Sequence, residues 1–343
     1  MSSLGVGGPG EGEAPPPAPP VPDGPAPAAG LFERVQRWLL EPEYPLTAIE
    51  VRPRSIGAVR VVRERGRLAL GAASSLSLPE GTLAVSMAQP NVLSPEAFRE
   101  TVRAVLERAG IPLKGPINLV LPDPMARVSL VPSSELGSKD TSEVEDMLRF
   151  RLRKAVPFDI KDARLAYQMP RASAPDAQAV AVVAARPILD GYEDAIVSLG
   201  LQPGLVELAG LAILTAVETG HAVGDRLIVN WDDGYVSLML SRAGDLVLMR
   251  TLTGEGISTD EDIIREVANT VLFYREKLGG AGLASVVVRS GVLSPSQAID
   301  LLSEPLGMTP EIFNPWPESG APDTSAAGQA VAGAAACIVG KVA

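Results

Sequence analysis

The sequence contains one cysteine and one histidine, and both shortages exclude classes of chemistry. Cys337 alone cannot form an intrachain disulfide, so a reducing compartment is expected. A Ser-His-Asp or Cys-His catalytic arrangement would have to use His221, which lies in a glycine-flanked segment that we interpret as an exposed connector. One histidine and one cysteine also cannot build a usual transition-metal site, so we predict none, while a carboxylate-only magnesium site stays open.

Other absences concern partners and location. The net charge is -11, which argues against nucleic acid as a partner because phosphate binding uses clustered lysine and arginine. The chain has no run of about 18 apolar residues of the kind that spans a bilayer. Its N-terminus also lacks the charged start and apolar run of a secretory signal. We therefore expect a cytoplasmic protein.

The first 40 residues contain two different patterns. Residues 1–30 are rich in proline, glycine and alanine and contain no aromatic residue, which is typical of a disordered arm. The segment from Leu31 to Leu40 has the spacing of a short amphipathic helix. That helix either caps the first lobe or docks on a partner or a membrane surface.

A nearly duplicated hairpin is the most informative pattern in the chain. Alternating strands around a glycine turn run from Ile49 to Leu68, and the layout repeats from Val229 to Leu246. Two copies predict two similar lobes. A polar residue, Glu50 or Asn230, is expected to close each first strand, so that both following loops face one cleft between the lobes. With 343 residues and 46% hydrophobic content, the chain is long enough for two lobes and an inserted module.

Residues 31–124 are predicted to form the first part of the first lobe. After the hairpin, Leu76 to Val85 resembles another strand, and Ser94-Pro95 is expected to open a helix that ends at Arg108. Ile117 to Leu121 is predicted as a buried strand. The order of strand, helix and strand indicates an α/β fold.

Residues 125–203 are predicted to form an inserted α+β subdomain with its own small sheet. Ser142 to Glu145 fits a capping box that would start a helix, and Ala163 to Met169 and Gln178 to Ala185 are predicted strands. The basic face of that helix is either solvated, with Phe150 tucked inward, or a surface for an acidic or amphipathic peptide. Its residues are Arg149, Phe150, Arg151, Arg153 and Lys154.

Residues 204–224 are interpreted as a return helix and connector, and 225–343 as the second lobe. In that lobe Thr259 is expected to cap a long helix that ends near Leu278. A further helix is predicted from Pro295 to Leu306. A last helix, from about Ala326 to Val339, is rich in alanine and glycine and should pack closely against a sheet.

Two lobes with matching hairpins, a glycine near the strand end at Gly291 and a closing Ala/Gly helix resemble the actin-like ATPase superfamily, a two-lobed, duplicated ribonuclease H-like fold. Within it, the order and spacing of several segments resemble the PilM family of type IV pilus assembly. The segments are Arg149 to Phe158, Gln178 to Arg186, Leu199 to Pro203 and Val271 to Tyr274, and the likeness extends over residues 31–343.

The resemblance implies a scaffold that binds the cytoplasmic tail of an inner-membrane protein, PilN-like, in a groove between the first lobe and the inserted subdomain. Association with the membrane would be peripheral, through that partner, and oligomerisation is open. By position, the residues expected beside the groove are Arg149, Phe150, Arg153, Pro157, Phe158 and Tyr167.

The nucleotide cleft implied by the resemblance departs from the family pattern. In the first loop Pro53 offers no N–H and the usual glycine is missing. Asp232 and Asp233 place carboxylates where phosphate would bind, and Arg52 and Arg54 are expected either to offset them or to pair with them across an empty cleft. The degenerate cleft would comprise Glu50, Arg52, Ser55, Asn230, Asp232, Gly234, Ser290 and Gly291.

We therefore expect a scaffold with no enzymatic activity and no resident cofactor. The alternative is a weak ATPase, or a protein switched by ATP and magnesium, in the same machinery. A sugar or carboxylate kinase is disfavoured because no catalytic base can be located. The cytoplasmic part of a type II secretion protein of similar fold is a further alternative.

Overall fold

The computed structural model describes residues 44–64, 66–137, 140–171, 177–219, 223–316 and 325–342. The predicted arm at 1–30, the predicted helix at 31–40 and His221 lie outside these residues.

Two five-stranded sheets and one three-stranded sheet form the framework. The first sheet has the order β3-β2-β1-β4-β8, with β1 Thr47–Arg52, β2 Ser55–Glu64, β3 Arg67–Ser77, β4 Gly115–Leu121 and β8 Leu201–Leu208. The second has the order β11-β10-β9-β12-β13, with β9 Asp225–Asp232, β10 Tyr235–Arg242, β11 Asp245–Thr253, β12 Leu283–Ser290 and β13 Glu311–Ile312. The third has the order β5-β7-β6, with β5 Ala126–Pro132, β6 Ala163–Gln168 and β7 Gln178–Ala185.

The two large sheets repeat one plan, which confirms the prediction of two similar lobes. In each lobe the first strand pairs antiparallel with the second and parallel with a later strand, β1 with β4 and β9 with β12. Each copy contains three antiparallel strands. Glu50 and Asn230 lie inside their strands, paired with Gly57 and Ser237, so the prediction that they close those strands was wrong by two residues.

The strand predicted from Leu76 to Val85 was also wrong. The third strand begins at Arg67 and ends at Ser77, and only an isolated bridge between Leu83 and Val92 follows. Pro79 has no N–H for a ladder and Gly81 adopts a positive φ of 74°, so the chain turns where hydrophobicity alone suggested extension.

Nine α-helices within the described residues cover these sheets. They are α1 Pro95–Arg108, α2 Ser133–Leu136, α3 Thr141–Leu152, α4 Arg186–Val197, α5 Ala209–Glu218, α6 Asp260–Lys277, α7 Pro295–Leu306, α8 Ala326–Gln329 and α9 Ala332–Val342.

Helix starts follow local capping chemistry. Thr259 and Asp262 form a capping box at α6, as the position of Thr259 predicts. At α3 the cap is Asp140, whose carboxylate accepts from the backbone N–H of Glu143. The capping box predicted at Ser142 was therefore wrong, because Ser142 already lies within the first turn of the helix.

The inserted sheet ends earlier than the predicted boundary at residue 203. Helix α4 buries Ile188 and Tyr192 in the core of the first lobe, where Tyr192 meets Phe98 of α1 edge to face. Strand β8 then pairs with β4 in the first sheet. The contacts assign the end of the insert to Ala185, since everything from α4 to β8 packs on the first lobe.

The C-terminal helix α9 joins the two lobes. Its small residues let it pack closely on α5, where a methyl group added at Gly340 would lie 3.0 Å from the Thr215 side chain. One side of α9 buries Ala335 and Ile338 against the first sheet, and the other buries Ala336 and Cys337 with residues of both lobes. The close packing predicted for the last helix is present, and α9 and α5 lie between the two large sheets. The single helix predicted from about Ala326 to Val339 was wrong, because the chain turns at Ala330 and Val331 and forms α8 and α9.

Candidate functional site

A buried cluster of charged side chains fills the space where β1, β9 and β12 end. Arg289 donates to Glu50 at 2.5 Å, to Asp232 at 2.7 Å and to Asn230 at 3.1 Å. Arg52 donates to both carboxylate oxygens of Asp232 at 2.8 and 2.9 Å. Because Glu50 and Arg52 belong to the first lobe and the others to the second, two of these ion pairs connect the lobes.

The charges in this interlobe cluster stabilise one another. Burial disfavours ionisation of Asp232, but Arg289 and Arg52 outweigh it and lower the pKa of Asp232 to about 2. Burial raises the pKa of Glu50 in spite of Arg289 and Arg52. Burial also disfavours the charged form of Arg289, yet Glu50 and Asp232 raise its pKa. Arg289 therefore stays a cation between two carboxylates.

Two glycines make room for the interlobe cluster. A methyl group added at Gly291 would overlap the guanidinium of Arg52, which also donates to the Gly291 carbonyl at 2.6 Å. A methyl group at Gly333 would lie 2.5 Å from the Glu50 carboxylate, whose second oxygen accepts from the Ala334 N–H at 3.1 Å. The backbone groups and the space at this point are thus used by the protein's own side chains.

The other predicted cleft residues lie around the cluster. Ser290 caps its own loop by accepting from Val292 and Leu293 N–H groups. Ser55 starts β2 opposite Arg52. Gly234 is exposed in the β9–β10 turn with a φ of 73°. The predicted pairing of Arg54 with Asp233 is present in these turns, so both arginine–aspartate pairs that the sequence offered form.

Sequence reasoning missed two residues of the site. Arg289 is fully buried near the end of β12, which contains no other charged residue. That single charge in a buried strand was the available signal. Asp123 is buried between two prolines, where it accepts from the Gly210 N–H at 2.7 Å and from Asn230 at 3.0 Å. Burial raises the pKa of Asp123 although these hydrogen bonds oppose the shift.

A second site is a groove of about 720 Å³ between the inserted sheet and the first lobe. Its walls come from β6 and β7 on one side and from α4 and β8 on the other, and we call it the subdomain groove. Strands β6 and β8 are each the outer strand of their sheet, paired within the described residues with β7 and β4 only. The groove therefore has an unpaired backbone edge in each wall, and its apolar lining includes Leu121, Val180, Val182, Leu189, Val197 and Leu205.

The predicted partner-binding residues divide between two places. Tyr167 lines the subdomain groove. Pro157 is exposed and lines neither surface. Phe150 is 66% exposed, with the guanidinium of Arg153 above its ring at 4.2 Å, so the interpretation of Phe150 as tucked inward was wrong. A separate shallow pocket of about 510 Å³ is lined by residues that include Arg149, Phe150, Arg153 and Phe158.

The described residues contain neither a candidate membrane span nor a candidate metal cluster. None of the helices there has the length and apolar character needed to cross a bilayer. Histidine, cysteine, aspartate and glutamate side chains also form no group of three or more in that part of the chain that could hold a metal ion.

Similarity to known proteins is found at the level of solved structures. No family model matches the sequence, and no curated protein matches it. Among solved structures, a PilM–PilN type IV pilus biogenesis complex is similar with a TM-score of 0.69 and 19% identity, over 86% of this chain and 98% of that one. The cytoplasmic domain of EpsL, an inner-membrane component of the type II secretion system of Vibrio cholerae, has a TM-score of 0.45 and 12% identity, over 71% of this chain and 81% of that one.

A protein from Bacteroides thetaiotaomicron that is described as having an actin-like ATPase fold and unknown function has a TM-score of 0.47 and 7% identity, over 78% of this chain and 90% of that one. The duplicated sheets, the helices between them and the similarity to the PilM–PilN structure agree with the fold expected from the sequence. This chain has a two-lobed actin-like fold with a small inserted subdomain.

Proposed function

We propose that this protein is a cytoplasmic scaffold of a type IV pilus or related secretion machine, and that it binds the cytoplasmic tail of an inner-membrane protein in the subdomain groove. The proposal depends on the outer edges of β6 and β8, which have no strand partner in the described part of the chain. An extended peptide can add its backbone to an exposed strand edge, while its side chains enter the apolar lining between the walls. The similarity to a solved PilM–PilN complex supports this choice of partner class.

Charge favours the same partner. Cytoplasmic segments next to membrane spans carry an excess of lysine and arginine, whereas this chain has a net charge of -11. Opposite charges on two proteins raise their association rate, and like charges disfavour binding of other proteins. The protein would thus reach the inner-membrane face through its partner.

A binding experiment with two single variants tests the choice of surface. Synthetic peptides that cover the cytoplasmic tails of the source organism's inner-membrane proteins would be screened against the full chain by fluorescence anisotropy. Val182→Arg places a charge in the subdomain groove and should weaken the selected peptide by tenfold or more. Phe150→Ala, in the separate pocket, is the matched variant and should bind as the wild type does.

If Phe150→Ala weakened peptide binding and Val182→Arg did not, the binding site would be the separate shallow pocket around Phe150 instead. A screen in which no tail peptide binds would overturn the proposal as a whole.

We also propose that the interlobe cleft holds no nucleotide. Arg52 and Arg289 are already neutralised by Asp232 and Glu50 at 2.5 to 2.9 Å, and the Ala334 N–H is used by Glu50. A triphosphate would have to break these contacts and lie against two buried carboxylates, and like charges at close range cost several kcal/mol. Isothermal titration with magnesium and ATP should therefore give no micromolar binding, and binding with turnover would favour the ATPase alternative.

A further inference from the structure

The subdomain groove contains a carboxylate with unused hydrogen-bonding capacity. Glu207 lies on β8, and its side chain is 12% exposed. Its Oε1 atom lies 3.2 Å from the Lys341 ammonium. Its Oε2 atom is buried and accepts no N–H or O–H hydrogen bond among the described residues. The Cys337 thiol, which is only a weak donor, lies beside the Glu207 carboxylate. Glu207 also lines an adjoining cavity of about 270 Å³ that continues toward Lys341 and Asp245.

A buried carboxylate oxygen that accepts no strong hydrogen bond is costly, because it has lost its water without full compensation. An ionised carboxylate has about four acceptor positions, so an ion pair at one oxygen leaves the other able to accept. The same protein shows such sharing at Asp232, which binds Arg52 and Arg289 together. Glu207 therefore has a place for a second cation beside Lys341.

We propose that Glu207 is the residue that recognises a positive charge on the bound tail, either a lysine or arginine side chain or the N-terminal ammonium. This inference rests on the proposed function of the subdomain groove. A peptide that follows the edge of β8 passes Glu207, and a cationic N–H group there completes the hydrogen bonding of Oε2. Charge-assisted hydrogen bonds of this kind change affinity by roughly tenfold or more.

The test is a double-mutant cycle with the tail peptide that the screen selects, labelled at its C-terminus. Its lysines and arginines are replaced one at a time by glutamine, and a further peptide is acetylated at its N-terminus. Each peptide is titrated against the full-length wild type and against Glu207→Gln, which keeps the shape and one acceptor oxygen but removes the charge. Glu107→Gln, on the exposed face of α1, controls for the loss of one unit of net charge.

We expect Glu207→Gln to weaken the unmodified peptide by roughly tenfold or more. It should have little effect on the one peptide that lacks the cognate cation, and that peptide identifies whether a side chain or the terminus is bound. Glu107→Gln should leave all affinities unchanged. Circular dichroism of each variant verifies folding.

Equal binding of the unmodified peptide by the wild type and Glu207→Gln would overturn the inference and leave the groove intact as the binding site. If Glu207→Gln weakened every peptide to the same extent, the inference would also be overturned, since Glu207 would then affect the shape of the groove without binding a cation. If Val182→Arg has no effect either, the proposed function fails as well, which separates the two conclusions.

Discussion

Replacement of Arg289 by methionine tests the central physical feature of this protein, the interlobe cluster. The Arg289 side chain has no exposed surface and donates to Glu50, Asp232, Asn230 and the carbonyl of Gln329. Methionine fills much of the same space but carries no charge. Arg52 still pairs with Asp232. Among the described residues, Glu50 then keeps one hydrogen bond, from the Ala334 N–H, so a buried carboxylate loses the cation that is bound to it.

The magnitude follows from the cost of breaking a buried ion pair. Removal of one partner typically costs about 3–5 kcal/mol, because the remaining charge stays desolvated. The unit from Tyr44 to Ala343 has an unfolding entropy of roughly 0.6 kcal/mol per kelvin at its size. We therefore expect Arg289→Met to lower the free energy of unfolding by about 3–5 kcal/mol and Tm by roughly 5–8 °C.

Urea denaturation followed by circular dichroism measures the change, with the slope of the transition reporting that the same surface is exposed. Arg265→Met is the matched control, since Arg265 forms an exposed pair with Asp262 on α6, and such pairs contribute about 0–1 kcal/mol. The double variant Glu50→Gln/Arg289→Met removes one charge of each sign and should be more stable than Arg289→Met. A loss below about 1 kcal/mol for Arg289→Met, or no recovery in the double variant, would refute the reasoning.

Three further predictions concern pH, helix propensity and thiol reactivity. Arg289 and Arg52 overcome the effect of burial and hold the pKa of Asp232 near 2, below its value in the unfolded chain, so its contribution of about 2 kcal/mol is present above about pH 4 and is lost as the pH falls toward 2. Asp232→Asn should flatten that acid limb in unfolding curves measured across this range, and an unchanged limb would contradict the assignment. Gly191→Ala, inside α4 with nothing within 4 Å of the added methyl, should raise the free energy of unfolding by about 0.5–1 kcal/mol, and a measured loss would count against an unobstructed helical site. Burial, with Glu207 nearby, raises the pKa of the Cys337 thiol, so a thiol reagent should label the native protein far more slowly than the urea-unfolded chain, and equal rates would exclude a buried thiol.

Local patterns explain why much of the fold could be predicted. Alternating strands around glycine turns and capping residues such as Thr259 act over a few neighbouring residues, so the repeated hairpin and the bounds of α6 and α7 follow from sequence. Errors arose where two local signals conflicted. The hydrophobic pattern predicted a strand that continues past Ser77, but Pro79 and Gly81 end extended structure there.

The candidate sites were predictable only in part. Arg52 and Asp232 could be named as partners because each stands where the first strand of one repeat meets its hairpin turn. The role of Arg289 was not foreseen, since its contact with Glu50 spans 239 positions and no local rule brings these residues together. The expected binding helix and Tyr167 proved to lie on different surfaces, because strand order in the insert decides which residues meet α4 and β8.

By itself the amino-acid sequence determined two similar lobes, an insert, an acidic character and a short supply of catalytic histidine and cysteine, since these depend on composition and on contacts between near neighbours. Tertiary structure alone decided that two arginines and two carboxylates neutralise one another between the lobes. It also decided that β6 and β8, beside Glu207, each keep one edge with no strand partner among the residues that the structure describes. The physical reason is that a charge or a backbone N–H group becomes costly to leave unpaired only when it is removed from water, and the packing of the whole chain decides which groups are removed.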